Sequence, residues 1–570
     1  FDRLAEPRVS PNGRQIVFTV SSLDLEANKR RSDLWVVGTD GAGLRPLLRS
    51  DDSESNGTWS PDGRTVYFLS NRGGSSQVWK VSLDGGDAQP VTSLPLDVGS
   101  FRLSHGGTKL ALSMEVYPGS TSGETRKRMD EDAASKATGK IYDRLFFRHW
   151  DTWADGRRSH VFVVPLSGGD PIDVMKAMDA DSPSKPFGGN EEYVFTTDDK
   201  AIVFGARDVG REEAWSTNFD LFVAPVDGST APRNLTAANK AWDAYPAFSP
   251  DGKILAHAAM KRPGYEADRF RIVLRAWPDG TDRVLTEGWD RSPGELTWSP
   301  DGKEIFATAD DIGNHALFAI DVASGKVRTI VGTGHVVAPQ ADGDRIVYLL
   351  DSMTAPAEIF SIRTDGEDVK RLTGINDGRL ASVRLGVPEQ FSFKGANGDT
   401  VYGWIVKPAD FDPAKKYPVA FLIHGGPQGS WANDFHYRWN PQTYAARGYA
   451  AVMIDFHGST GYGQAFTDAI NGDWGGAPFE DLKKGLDAAL AKYPWMDGDR
   501  VSALGASYGG YMINWIAGNW PDRFKTLVVH DGNLDERFAY FATEELWFPE
   551  WEHGGTPWDN PQGYDEHNPV

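Results

Sequence analysis

The 570-residue chain contains no cysteine at all. That excludes disulfide scaffolds, cysteine-ligated zinc, iron–sulfur clusters and thiol catalysis, so a covalent nucleophile would have to be Ser, Thr, Asp, Glu, Lys, His or Tyr. Long apolar runs are missing too: nothing approaches the ~18 to 20 residues needed to span a bilayer, and a membrane-spanning protein is not expected. Nor is there a basic excess. Lys and Arg number 59 against 80 Asp and Glu, a net charge of −21, which argues against a nucleic-acid partner and for solubility. The chain opens on Phe1 with no basic-then-apolar leader before it, as expected of a chain processed or cut upstream. Cleaved export, and with it a periplasmic or secreted bacterial location, is one explanation that the lack of cysteine allows.

What the sequence has in quantity is repetition. A phrase of the type Ser-Pro-Asp-Gly followed by an alternating apolar strand occurs at Ser10-Pro11-Asn12-Gly13, Ser60-Pro61-Asp62-Gly63, Ser249-Pro250-Asp251-Gly252 and Ser299-Pro300-Asp301-Gly302. Degenerate copies are Ser104-His105-Gly106-Gly107, Thr196-Thr197-Asp198-Asp199 and Gln340-Ala341-Asp342-Gly343. Pro presets φ, Asp or Asn bonds its own backbone and Gly accepts positive φ, so each phrase predicts a tight turn between strands. The carboxylates in them are expected to be structural, because none forms the ladder of a calcium loop. A second phrase interleaves with the first, an aromatic strand running into a Gly turn, as in Trp35 to Gly41, Trp79 to Gly85 and Phe222 to Gly228. The fourth positions of successive Ser-Pro-Asp-Gly copies lie 50, 44, 92, 53, 50 and 41 residues apart, near the spacing of propeller blades. A seven-bladed β-propeller over residues 1–386 is predicted. The 92-residue interval holds a blade plus an insertion near 114–153, read as a charged, helical and solvated excursion.

From residue 387 the period changes to strands alternating with helices, which predicts an α/β-hydrolase domain over 387–570. A hairpin around Asn397-Gly398 opens it. Val419–Ile423 and Tyr449–Ile454 read as buried strands and Pro478 to Lys492 as a helix. Val501–Leu504 then runs into Gly505-Ala506-Ser507-Tyr508-Gly509-Gly510, with a helix following over Tyr511–Ala517. This is a G-x-S-x-G elbow in strand–turn–helix context, and it makes Ser507 the candidate nucleophile. Upstream, His424-Gly425-Gly426-Pro427 follows a buried strand, and glycines there can expose backbone N–H groups to an oxyanion. The amides of Gly426 and Tyr508 are the candidate oxyanion donors, and His424 is a loop residue rather than the base.

These motifs, with Gly458-Ser459-Thr460-Gly461-Tyr462-Gly463 and Gly472-Asp473-Trp474-Gly475, make the chain resemble the prolyl oligopeptidase family of serine peptidases, in its bacterial dipeptidyl peptidase and acylaminoacyl-peptidase-like branch. The likeness covers the whole chain. One departure is Asp455-Phe456-His457-Gly458 where the family often has Asn-Pro-Arg-Gly. The resemblance implies acyl transfer through a Ser507 acyl-enzyme, with neither metal nor organic cofactor. It also implies a triad Asp and His after Ser507 at the ends of two further strands. The 63 residues after Ser507 contain one more evident strand, Thr526–Val529, and three histidines, His530, His553 and His567, none of them so placed. The hydrolase domain is therefore expected to be C-terminally truncated, with the acid and base beyond Val570.

Arg211-Glu212-Glu213-Ala214-Trp215 and the segment from Thr543 to Trp551 look like those of the bacterial dipeptidyl peptidases, which points to release of dipeptides from the free N-termini of short peptides. An exopeptidase of this kind must hold a free α-ammonium, and Glu212 and Glu213 are the candidates beside Trp215. Phe538, Tyr540 and Trp547 are candidates for an apolar pocket wall. The runner-up within the family is an acylaminoacyl peptidase or oligopeptidase. The alternative of another class is a non-catalytic binding module, because such propellers also resemble that of the Tol-Pal envelope system. A homodimer is compatible with the resemblance.

Overall fold

The structure, a computed structural model, describes residues 1–176, 178–185 and 188–570. Between residues 3 and 371 the described residues form five four-stranded antiparallel sheets, one eight-stranded sheet and a two-stranded hairpin. The eight-stranded sheet consists of two four-stranded runs, residues 296–331 and 335–371, meeting at a single parallel bridge between His315 and His335. Leu4, Ile16 and Phe18 of the first sheet share one buried cluster with Val347, Leu349 and Ile359 of the last run, which closes the succession of sheets into a propeller ring.

The repeated phrase builds this ring by its own chemistry. Ser10, Ser60, Ser249 and Ser299 each donate their hydroxyl to the Asn or Asp two residues on, at 2.6 to 2.8 Å. In the fourth copy Thr196 does the same to Asp198 at 2.7 Å. The fourth position takes positive φ, +67° to +70° at Gly13, Gly63, Gly252 and Gly302, and +55° at Asp199, which stands in the glycine's place. Asp62, Asp198, Asp251 and Asp301 are thus engaged in their own turns, and the Lys303 ammonium together with these bonds holds Asp301 down to about 2, whereas Asp199 accepts from the His105 and Gly106 N–H groups of the preceding phrase.

The insertion corrects one expectation. Its helix, Ser122–Ala134, is exposed and starts with a capping box between Thr121 and Glu124, as a solvated excursion should. The hairpin that follows, Arg148–His149 with Thr152–Trp153, instead docks on the hydrolase domain. Arg148 donates to the Ala542 carbonyl at 2.8 Å, and His149 Nε2 lies 2.6 Å from Glu545 Oε1.

The hydrolase sheet has strands β1 (Pro388–Lys394), β2 (Thr400–Val406), β3 (Tyr417–Ile423), β4 (Ala450–Asp455), β5 (Met496–Ala506) and β6 (Thr526–His530), in the order β1-β2-β4-β3-β5-β6. The opening hairpin is antiparallel, with Asn397 at φ +55°, and β3, β4, β5 and β6 are parallel. Helices α1 (Ala477–Lys492) and α2 (Tyr508–Asn519) cover the sheet, so β3 and β4 are apolar almost without interruption. Phe421, Val452, Ile454 and Val501 are fully buried against Leu482, Leu486, Met512 and Ile513. β6 differs: it pairs only with β5, and Val528 and Val529 are 42% and 45% exposed on it. Among the described residues no helix is long and apolar enough to cross a membrane.

Candidate active site

β5 delivers its last residues into a turn that α2 leaves immediately. Ser507 sits in that turn at φ +57°, ψ −125°, a conformation few side-chain-bearing residues adopt without support. Support comes from both sides: the Ser507 N–H donates to the His530 carbonyl at 3.0 Å, and its own carbonyl accepts from Tyr511 N–H at 2.9 Å. Glycines are required because the backbones nearly touch. A Cβ at Gly505 would fall 2.2 Å from the Gly509 carbonyl oxygen, and one at Gly509 would fall 2.3 Å from that of Ile423. The result is an exposed serine at a helix N-terminus, its hydroxyl unengaged among the described residues.

The His424-Gly425-Gly426-Pro427 loop leaves β3 beside this elbow. A Cβ at Gly425 would lie 3.0 Å from Ser507 Cβ, so only glycine lets the loop approach so closely. Gly426 faces the cavity between the two domains. Tyr508 is the first residue of α2, where an N–H has no acceptor within the helix. His424 is buried and stacked on Phe456 at 4.2 Å, with Nε2 3.0 Å from Ser459 Oγ; burial pushes its imidazole down to about 4, so it is a neutral structural residue at pH 7. His530 pairs with Asp531 at 3.0 Å, His553 approaches Glu536 at 3.6 Å and the Gly563 carbonyl at 3.1 Å, and His567 lies 3.8 Å from Asp473. Among the described residues none of these imidazoles hydrogen-bonds the Ser507 hydroxyl.

The other glycine motifs hold the architecture together. Thr460 donates to Asp310 of the propeller at 2.7 Å, and the Gly461 carbonyl accepts from Ile312 N–H at 3.1 Å. Trp474 donates its indole N–H to Glu552 at 2.8 Å and accepts the Tyr508 hydroxyl on its carbonyl at 2.7 Å, tying that motif to the elbow helix. The Asp455-Phe456-His457-Gly458 departure has a local role. Asp455, fully buried, accepts from Trp431 N–H and the Tyr462 hydroxyl, and His457 lies 2.6 Å from Asp481 and 3.2 Å from Asp399.

Burial pushes the Asp455 carboxyl up to about 7, against ~3.9 when unfolded. Between those values the native state keeps a proton that the unfolded state has lost, so Asp455 makes stability fall as pH rises through that window, with no further slope above it. Asp455→Asn should therefore flatten the decline in thermal midpoint between pH 4 and pH 7, measured against the unaltered protein. A parallel decline in both would remove Asp455 from the account.

The specificity candidates are not brought together as expected. Consecutive residues of the 3-10 turn Gly210–Trp215 point in different directions, so Glu212 is exposed while Glu213 is buried. Both Glu213 oxygens accept from Arg158, at 2.9 Å each, and Arg158 also bonds Asp179 and Asp181 at 2.9 Å. Those carboxylates hold the Arg158 guanidinium far above its ordinary value, against the pull of burial. The expected pair of free carboxylates is thus one exposed glutamate and one already neutralised. Trp215 is partly exposed. The aromatic set also divides, because residues two apart on a helix face opposite ways. On the helix Glu536–Ala542, Phe538 is exposed while Tyr540 is buried with Ala214, Leu546 and Tyr564. Trp547 is buried against Phe146 and carries Arg207 over its ring at 5.1 Å. The single wall expected of Phe538, Tyr540 and Trp547 is not formed.

A serine lifted on a strained elbow beside a glycine loop, in a hydrolase domain joined to a propeller, defines a serine hydrolase. Residues 435–570 match the prolyl oligopeptidase family, and residues 3–122 match the TolB beta propeller domain. Dipeptidyl-peptidase 5 of Porphyromonas gingivalis is 30% identical over 98% of this chain and 81% of its own length. Dipeptidyl-peptidase 5 of Aspergillus fumigatus is 31% identical over 100% and 82%. Among solved structures, the acylaminoacyl peptidase of Pyrococcus horikoshii superposes with a TM-score of 0.81 at 22% identity, over 100% of this chain and 83% of its own. The chain belongs to the prolyl oligopeptidase family, and it is a serine peptidase.

Proposed function

We propose that this peptidase releases dipeptides from the free N-termini of short peptides, through an acyl-enzyme on Ser507. The observation that carries the reading is likeness to dipeptidyl-peptidase 5 enzymes sustained over 98% or more of the chain, elbow and oxyanion loop included. Ser507 Oγ attacks the scissile carbonyl, its proton passes to a histidine, and the oxyanion is met by the amides of Gly426 and Tyr508. Water then releases the dipeptide and restores the serine. The histidine and its aspartate are proposed to stand on polypeptide that adds to the unpaired edge of β6, whose exposed Val528 and Val529 resemble a strand awaiting a neighbour. The succession of four-stranded units, counting the eight-stranded sheet as two, supports seven blades over residues 1–386 with the hydrolase over 387–570. A periplasmic or extracellular location is part of this proposal, and the complete lack of cysteine allows it.

A second reading, acylaminoacyl peptidase, is favoured by one observation: Arg158 neutralises Glu213 and so removes half of the expected ammonium clamp. The two are separated by the specificity constants of the full chain on a dipeptidyl aminocoumarin and on the same substrate N-acetylated. Preference for the free amine is expected; preference for the acetylated form would establish the second reading.

A further inference from the structure

Between the propeller and the hydrolase lies a cavity of ≈ 470 Å³. Gly426, Gln428 and Thr460 form part of its hydrolase wall, and Trp242, Glu266 and Phe270 part of its propeller wall. It is therefore the space into which the oxyanion loop faces. Four carboxylates line it, and three have occupations. Asp268 is held by Arg262 at 2.7 Å, Asp310 by His315 at 2.7 Å and by Thr460, and Asp290 accepts from Gln464 N–H at 3.0 Å with Arg269 4.0 Å away. Glu266 is different. Its Oε2 accepts from the Trp547 indole N–H at 2.9 Å, and among the described residues no Lys, Arg or His forms an ion pair with it. The imidazole of His149 is already bound to Glu545.

The loop that carries Glu266, residues 260–270, is fixed to the hydrolase domain by Arg262 and Tyr265 before it and by the Ala267 carbonyl, which accepts from Gln464 Nε2 at 3.0 Å, after it. Arg262 forms a two-pronged bond with Asp468, at 2.7 and 3.0 Å. Tyr265, buried, stacks on Trp551 with ring centroids 4.5 Å apart and planes 10° apart. Asp268 closes the loop by accepting from the N–H groups of Lys261 and Arg262, at 2.7 and 2.8 Å. A carboxylate open to a cavity, held in place by its neighbours and without an ion pair among the described residues is placed to receive a cationic ligand. Desolvation by the packed cavity wall, with Glu545 and Glu552 nearby, raises the Glu266 carboxyl above its ordinary value, although the residue stays open to the cavity.

We propose that Glu266, rather than the Glu212–Glu213 pair, receives the α-ammonium of the substrate and so sets the specificity for free N-termini. This rests on the dipeptide-releasing reading. The ammonium would bond Oε1 while Trp547 keeps Oε2, and an acylated N-terminus, carrying no charge, would gain nothing there.

The test uses the full chain with dipeptidyl aminocoumarins carrying a free amine, an acetylated amine or no amino group. For Glu266→Gln, kcat/KM on the free-amine substrate should fall roughly ten- to a hundredfold, as for loss of a charged hydrogen bond, with little change on the other two. Removing the substrate's amino group should cost the unaltered enzyme a similar factor, and the two losses should not add, since each deletes the same contact. Glu266→Asp should fall between, while Glu213→Gln should leave the preference for the free amine in place. Equal losses by Glu266→Gln on all three substrates, or additive losses, would overturn the proposal while leaving dipeptide release intact. If the unaltered enzyme prefers the acetylated substrate, it is the underlying reading that fails. Should Glu266→Gln not fold, the substrate series on unaltered enzyme and on Glu266→Asp still decides: a preference for the free amine untouched by Glu266→Asp would overturn the assignment.

Discussion

Ser507→Ala should reduce peptide hydrolysis by the full chain on the order of 10⁶-fold, the size of loss that removal of a nucleophile produces in a serine peptidase. The fold should survive it. The strain at φ +57° belongs to the backbone, and alanine meets it with a Cβ no larger than serine's. The Ser507 hydroxyl forms no hydrogen bond among the described residues, so nothing is left unpaired, and the two backbone bonds to His530 and Tyr511 remain. Unchanged thermal midpoint with abolished turnover, and loss of labelling by a fluorophosphonate probe, is the expected result. Activity above a few per cent of the original would move the nucleophile elsewhere.

The largest effect on stability is expected at Arg158. Its guanidinium serves Glu213, Asp179 and Asp181 through four hydrogen bonds, and its side chain is 14% exposed. Arg158→Ala removes the fork and leaves Glu213, 8% exposed at its side chain, with Arg207 3.8 Å away. Breaking a buried pair from one side typically costs about 3–5 kcal/mol, because the surviving charge keeps its desolvation penalty. Denaturant unfolding of the propeller transition should show a loss of that order. Arg158→Lys should be nearly as damaging, since an ammonium cannot reproduce a two-pronged bond to one carboxylate while holding two others. A loss below about 1 kcal/mol would place the cluster among the weak surface pairs.

The two catalytic features legible in the sequence are those whose chemistry is local. G-x-S-x-G works because the atoms that would clash, Gly505 against Gly509, are four residues apart, so the motif carries its own geometric reason. The Ser-Pro-Asp-Gly turns are legible on the same ground, since their hydroxyl, carboxylate and amide all lie within five residues. Glu212 and Glu213 show the limit. Two adjacent acids look alike in a string, yet one is bound to a residue 55 positions earlier and the other is bare to solvent. The insertion misled in the same way: its charged helix is solvated as read, but the hairpin after it lands on a segment nearly 400 residues downstream.

The order of parts follows from local residue patterns: turn chemistry at propeller spacing, then buried strands, a glycine loop and an elbow serine. Each depends on backbone conformation and steric limits acting over a few residues, which neighbouring residue types dictate. Which charges are spent and which are free depends instead on the packing of distant segments. Glu266, in the plain string Gly264-Tyr265-Glu266-Ala267-Asp268, carries no local signal. Its character comes from Trp547 and Trp551, more than 280 residues away, and from the lack, among the described residues, of an ion pair to its carboxylate. A carboxylate's ionisation and reach are set by whatever surrounds it in three dimensions, and no stretch of neighbouring sequence contains that information.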